Sequence, residues 1–257
     1  MWEDLRRRVL TAVVLACLGL GAIWLGELVF LIFVLILVGV LTWELARLLE
    51  ASEVKALALG IGVAAGFTAA NFLPGPAWWL LLSGLAALSM LFVRRHKPAY
   101  LLFSLAILFA AEGLVFHRDL FGLTWMVWLV LVVAVTDIFG YFAGRMLGGP
   151  KFWPSVSPKK TWSGTVAGWV GSGLVGLVFM ALTPAGFELV PISILLSFAS
   201  QLGDIAESAL KRRMGAKDSS NLLPGHGGVF DRFDGMMGAA LALLLVESVT
   251  RFPPPMP

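Results

Sequence analysis

Between residues 208 and 234 the chain gathers five cations, Lys211, Arg212, Arg213, Lys217 and Arg232, with three carboxylates, Asp218, Asp231 and Asp234. They surround the run Gly225-His226-Gly227-Gly228. Cations neutralise phosphate oxygens, glycines let backbone amides come close to a ligand, and carboxylates hold the divalent ions that accompany phosphates. The chemistry these types define is the handling of anionic phosphates. Its setting is a chain that is 59% hydrophobic and 14% charged, with a mean hydropathy of +0.89.

Further polar residues lie just upstream. Asp204, Glu207, Ser208 and Lys211 recur at three- and four-residue steps, so they share one face of a helix. Asp204 precedes Lys211 by seven residues, about 10 Å along the axis, which sets it inside the membrane region. Ionisable groups at that depth face a bundle interior or a wet cavity and are functional hypotheses by default, although an ion pair that only fixes helix packing would use the same residues. Asp231 and Asp234 open the following helix, where two acids alone could serve as dipole partners. Asp137, Tyr141 and Arg145 form another single face, with Gly140 and Gly144 giving the small-residue spacing of close helix contact. Ser157-Pro158-Lys159-Lys160-Thr161 reads as a helix start, serine at the cap and proline in the first turn. Its lysines suit a membrane anchor and a phosphate site equally.

These residues must be positioned by helices. A spanning helix takes roughly 20 mostly apolar residues, and nine segments approach that length: 9–26, 28–46, 56–73, 77–93, 99–116, 120–143, 161–183, 190–210 and 234–250. Gly26-Glu27 predicts a tight connection between the first two, and Pro74-Gly75-Pro76 a turn between the third and fourth. The expected fold class is all-α, a polytopic integral membrane protein with about nine transmembrane helices. With the N-terminus in the cytoplasm, the positive-inside rule places all but Arg118 and Arg251 of the 19 basic residues on the cytoplasmic side. Nine spans then put the C-terminus outside. Arg6 to Arg8 before an apolar stretch has the charge of a secretory signal, but no small-x-small site follows, so an uncleaved first helix is expected. The division expected is residues 1–118 as scaffold and 119–257 as a catalytic region, with cytoplasmic loops 144–160 and 211–233. The lone Cys17 excludes an internal disulfide and reads as a small buried hydrophobe. The ten tryptophans read mostly as interfacial anchors.

The polar run also resembles, position by position, the signature of phosphatidate cytidylyltransferases (CDP-diacylglycerol synthases). The matching residues are Ser208, Leu210, Lys211-Arg212, Lys217-Asp218, Leu223-Pro224, His226-Gly227-Gly228, Asp231-Arg232 and Asp234. Residues 137–145 resemble a second block of that family, with Gly140 where alanine is common. Ser157 to Trp162 resembles a third, with Ser163 where the family usually has glutamate, which leaves any role of that carboxylate without a bearer here.

The resemblance implies an enzyme that joins CTP to phosphatidate, giving CDP-diacylglycerol and pyrophosphate, at the bacterial-type inner membrane with its site facing the cytoplasm. It implies Mg²⁺ on Asp204 and Asp231, with Asp234 and Glu207 as alternates, and a monovalent cation such as K⁺. Asp204, Asp231, Lys211, Lys217 and Arg232 would be catalytic. Lys159, Lys160, Ser208, Arg212, Asp218, Gly225, His226, Gly227, Gly228, Asp137 and Tyr141 would contact substrate. A homodimer is the family expectation, and no nucleic-acid partner is expected. A CTP-dependent lipid kinase is the nearest rival, and the Lys-Asp, His-Gly-Gly and Asp-Arg-x-Asp elements argue against it. A CDP-alcohol phosphatidyltransferase lacks its own motif here, and a transporter would leave the cation cluster without a purpose.

Overall fold

The computed structural model describes residues 2–73, 77–250 and 252–254, with side chains from residue 9 onward. The turn expected at Pro74-Gly75-Pro76, and Arg251, lie outside the described residues. So do the side chains of Arg6 to Arg8.

The chain forms two compact units. The first comprises Met1–Val115 and Leu210–Phe233. It holds α1 (Trp2–Leu25), α2 (Glu27–Leu48), α3 (Glu53–Ala70), α4 (Ala77–Met90) and the start of α5 (Lys97–Met146). Gly26, at φ 66°, makes the tight α1–α2 connection that its sequence signals. Along α2, Phe30, Val34, Val38, Leu41 and Leu45 are buried, a stripe at helical spacing. The α2–α3 pair approaches through glycines, since a Cβ on Gly60 would stand 2.6 Å from the Gly39 carbonyl. Cys17 is exposed on α1, not buried as its apolar neighbours led us to expect. An apolar helix in lipid turns apolar residues outward as well as inward, so hydropathy alone does not say which are covered.

The second unit comprises Phe116–Ala209 and Asp234–Pro257. It holds the remainder of α5, the strands β1 (Lys151–Trp153) and β2 (Ser157–Thr161), α6 (Trp162–Leu182), most of α7 (Leu189–Arg213) and most of α8 (Phe230–Val249). At 50 residues, α5 would run about 75 Å if straight. It is broken at Gly122, φ 83° and ψ −167°, a backbone region that glycine tolerates. The break falls at the third residue of the expected segment 120–143, just past the separation at 117–119 that the sequence predicts.

One local expectation is overturned. Ser157 does not cap a helix; Ser157–Thr161 is a strand paired antiparallel with β1, Lys151 opposite Thr161 and Trp153 opposite Ser157. The helix starts at Trp162, where the Thr161 hydroxyl accepts from the Gly164 amide. A Thr cap answers the same orphan amides that Ser157 was expected to serve, and the hairpin pairing holds residues 157–161 extended. Two tryptophans also depart from an interfacial role. Trp125 and Trp128 are fully buried and meet edge to face with centroids 5.8 Å apart. Their indole N–H groups donate to the Pro254 carbonyl and to Ser193 Oγ, each at 3.0 Å.

Among the described helices, α2, α3, α5, α6 and α7 are long and apolar enough to cross a membrane. The protein is a predominantly helical, multi-pass membrane protein.

Candidate functional site

In the second unit, four elements, α5, β2, α6 and α7, converge on a cavity of about 420 Å³. Helix α5 supplies Asp137, Tyr141 and Arg145, β2 supplies Lys159 and Lys160, and α7 supplies Gln201 and Asp204. The approach of α5 to α6 depends on glycine, because a Cβ on Gly164 would lie 2.5 Å from the Gly140 carbonyl. In a strand successive side chains take opposite sides. Lys160 turns to α7, its Nζ 2.6 Å from Asp204 Oδ2 and 3.4 Å from the Gln201 carbonyl. Gln201 is fixed in turn, donating to the Thr165 carbonyl and accepting from the Trp169 indole. Ser208 Oγ donates to Asp204 Oδ1 at 3.2 Å, so those two do share a face of α7. Arg145 donates to Tyr141 Oη at 2.7 Å. The cavity therefore presents three cations and two carboxylates within one wall of apolar helices.

The other α7 and α8 acids are placed differently. Glu207 is fully buried, whereas the Asp204 side chain is 37% exposed. Asp234 Oδ1 accepts the Gly235 amide at 2.7 Å, next to a backbone crossing where Gly203 leaves no room for a Cβ against the Asp234 carbonyl. Ser163 hydrogen-bonds the Gly148 carbonyl and Thr161 Oγ1. It ties the start of α6 to the preceding turn.

In the first unit, the signature segment wraps around a second cavity of about 510 Å³, lined by Lys217, Asp218, Pro224, Gly225, His226, Gly227 and Arg232 among others. Asp231 organises this loop from beneath. Its Oδ2 accepts from the Ser219 amide at 2.9 Å, Ser219 Oγ at 3.0 Å and the Gly228 amide at 2.7 Å. Its Oδ1 meets Lys211 Nζ at 2.5 Å. The Arg232 guanidinium donates twice to the His226 carbonyl, at 2.8 and 3.2 Å. Arg212 is exposed and donates to the Ala216 carbonyl. Gly227, at φ 84°, passes so close to Asp231 that a Cβ would stand 2.8 Å from Oδ2. The glycines thus let the loop close around its own carboxylate. The Gly228 amide is already engaged there, and the His226 amide donates to Leu223.

A residue outside the expected set completes the loop. Glu44, from α2, is fully buried and accepts from the Val229 amide at 3.0 Å and the Phe230 amide at 2.6 Å. It also accepts from Ser220 Oγ at 2.5 Å and Ser219 Oγ at 3.4 Å. It thereby satisfies orphan amides at the start of α8 from another helix. An acid within an apolar helix is a signal in itself, and it was available in the sequence.

Two cation-lined cavities in a helical membrane protein suit the binding of anionic groups at a membrane. Comparison with known proteins narrows it. The profile of the cytidylyltransferase family matches residues 6–249, and the chain belongs to that family. It is 38% identical over 270 residues to the phosphatidate cytidylyltransferase of Brucella abortus (strain 9-941), covering 96% of this chain and 94% of the relative. It is 33% identical to the enzyme of that name from Staphylococcus saprophyticus, covering 93% and 98%. With the Staphylococcus epidermidis enzyme (strain ATCC 12228 / FDA PCI 1200) the identity is 32%, over 94% and 99%.

Proposed function

We propose that the protein transfers the cytidylyl group of CTP to phosphatidate, releasing pyrophosphate and leaving CDP-diacylglycerol in the membrane. The observation that carries this reading is the convergence of Asp137, Tyr141, Lys159, Lys160 and Asp204 on one cavity, in a chain aligned nearly end to end with relatives bearing that activity as their name.

A phosphate oxygen of phosphatidate attacks the α-phosphorus of CTP. A new P–O–P bond forms as the bond from the α-phosphorus to the oxygen bridging to the β-phosphorus breaks, and that oxygen leaves on pyrophosphate. The attacking group is already an oxyanion, so no side-chain nucleophile is required. What remains is to bring two repelling anions in line and to neutralise charge on the leaving group. Lys159, Lys160 and Arg145 offer this in the second unit, and Lys217, Arg232 and His226 in the first. Lys211, held on Asp231, and Arg212 complete the cationic set.

Mg²⁺ accepts one or two carboxylates together with waters and substrate phosphates. No group of three or more potential metal-binding acids, histidines or cysteines occurs among the described residues, so a fully protein-made cage is not the expected form. Asp204, partly exposed on a cavity shared with Asp137, fits an open site of that kind. Asp231 is 5% exposed with Lys211 on Oδ1 and loop donors on Oδ2, so a metal ion there would take the place that Lys211 holds. Asp204 and Asp231 are the proposed ligands, with Asp234 and Glu207 as alternates. When bound, the ion would offset triphosphate charge and ease departure of pyrophosphate. A monovalent cation and a homodimer belong to the same proposal. So do nine spans, counting α5 as two on either side of Gly122, with both phosphate-handling loops on the cytoplasmic side of the inner membrane.

The test is label transfer by the purified protein. With phosphatidate supplied, α-³²P-CTP labels lipid and γ-³²P-CTP does not. Lipid label from the γ position would establish a kinase and end this reading.

A further inference from the structure

We infer that Glu44 is a positioning residue for this reaction. It holds residues 219–230 in the shape that presents Lys217, His226 and Arg232 to their cavity. The kinetic consequence rests on the proposed reaction; the structural one does not.

The donors to Glu44 come from both ends of the loop, Ser219 and Ser220 at its start, Val229 and Phe230 at its finish. Among the described residues, every hydrogen bond of the Glu44 side chain goes to this segment. A carboxylate has acceptor sites for all four donors, whereas an amide of the same size turns an NH₂ towards some of them. Substitution would then leave buried amides unanswered, at the desolvation cost of each group. The sequence makes room for the arrangement: Gly228 is buried, and a Cβ there would stand 2.6 Å from Glu44 Oε1. Ser219 is shared by two carboxylates, its hydroxyl lying near Asp231 Oδ2 as well as Glu44 Oε2. Glu44 from outside the loop and Asp231 from within it therefore clamp the same segment. Glu44 does not line the cavity, so its influence passes through the loop and not through substrate.

The experiment compares the full-length wild-type protein with Glu44→Gln and Glu44→Asp in detergent. Two measurements are made: amide hydrogen exchange by segment, and kcat and KM for CTP. Glu44→Gln is expected to speed exchange across 219–230 by tenfold or more, with α3 (Glu53–Ala70) unchanged. Loss of one hydrogen bond to a charged group corresponds to roughly 10- to 100-fold, and kcat should fall in that range. Glu44→Asp, which keeps the charge with a shorter reach, should recover part of both. If Glu44→Gln does not accumulate, Ser220→Ala removes one donor from the rim and should give smaller changes of the same kind. Exchange depends on no catalytic step, so a loosened loop in a protein that never transfers label would refute the reaction and leave the clamp standing. Unchanged exchange at 219–230, wild-type kcat with a loosened loop, or a uniform rise that includes α3 without recovery by aspartate would each overturn the inference.

Discussion

Lys160 Nζ and Asp204 Oδ2 lie 2.6 Å apart, joining the β-hairpin to the middle of α7. The pair lines an open cavity, its side chains 24% and 37% exposed. Partial exposure weakens such a pair as a stabilising contact. It leaves both groups reachable by a ligand, the lysine for phosphate oxygens and the carboxylate for a metal ion.

Lys160→Met and Asp204→Asn should therefore each lower kcat/KM by roughly 100-fold or more, the usual loss when one transition-state contact is removed, while thermal stability changes little. Groups acting as a unit are non-additive, so the double variant should be little worse than the poorer single one. A double-mutant cycle checks this. Losses that simply multiply would mean that the two side chains act independently. Asp119→Asn, which lines neither cavity, serves as the control expected to keep near wild-type turnover.

Much of this site was legible in the sequence, for identifiable reasons. Asp137, Tyr141 and Arg145 sit at four-residue steps, and helical periodicity alone predicts a common face. The cavity bears that out. Hydropathy separates the two halves of α5 at 117–119, and the structure breaks the helix slightly later, at Gly122, whose φ 83° and ψ −167° suit glycine. The hairpin at 151–161 escaped because its pairing depends on a register between two short segments, while Ser157-Pro158 also satisfies the local rules for a helix start. Glu44 escaped for a different reason. Glu44 lies in α2, whose apolar surroundings read as scaffold, although the depth reasoning that singles out Asp204 holds for it equally. Which loop an isolated acid will hold is a tertiary fact that spacing does not encode.

The knot around Asp231 allows two substitutions to be separated. Asp231→Asn keeps the size but loses the charge that faces Lys211, and turnover should nearly vanish at any Mg²⁺ concentration. Gly227→Ala keeps every charged group but asks alanine to adopt φ 84° with its Cβ 2.8 Å from Oδ2. Strain of that kind costs roughly 1–3 kcal/mol, so Gly227→Ala should lower the unfolding midpoint as well as activity. Thermal unfolding followed alongside label transfer distinguishes them. A Gly227→Ala protein as stable and active as wild type would show that the loop need not pass so close to its carboxylate.

Topology gives the last prediction. If nine segments cross, with the basic loops in the cytoplasm, the signature loop and the C-terminus lie on opposite sides of the membrane. Leu222, 47% exposed in that loop, is a suitable reporter; Met256 lies outside the described residues and reports on the terminus by sequence position alone. Cys17 must be replaced first, since it is exposed on α1. A membrane-impermeant thiol reagent should then label Leu222→Cys only from the cytoplasmic face and Met256→Cys only from the other. Labelling of both from one face would mean an even number of crossings. In that case α8 (Phe230–Val249), which alone separates the two reporters and is not among the helices long and apolar enough to cross a membrane, is the helix to reassign as lying within the bilayer without crossing it.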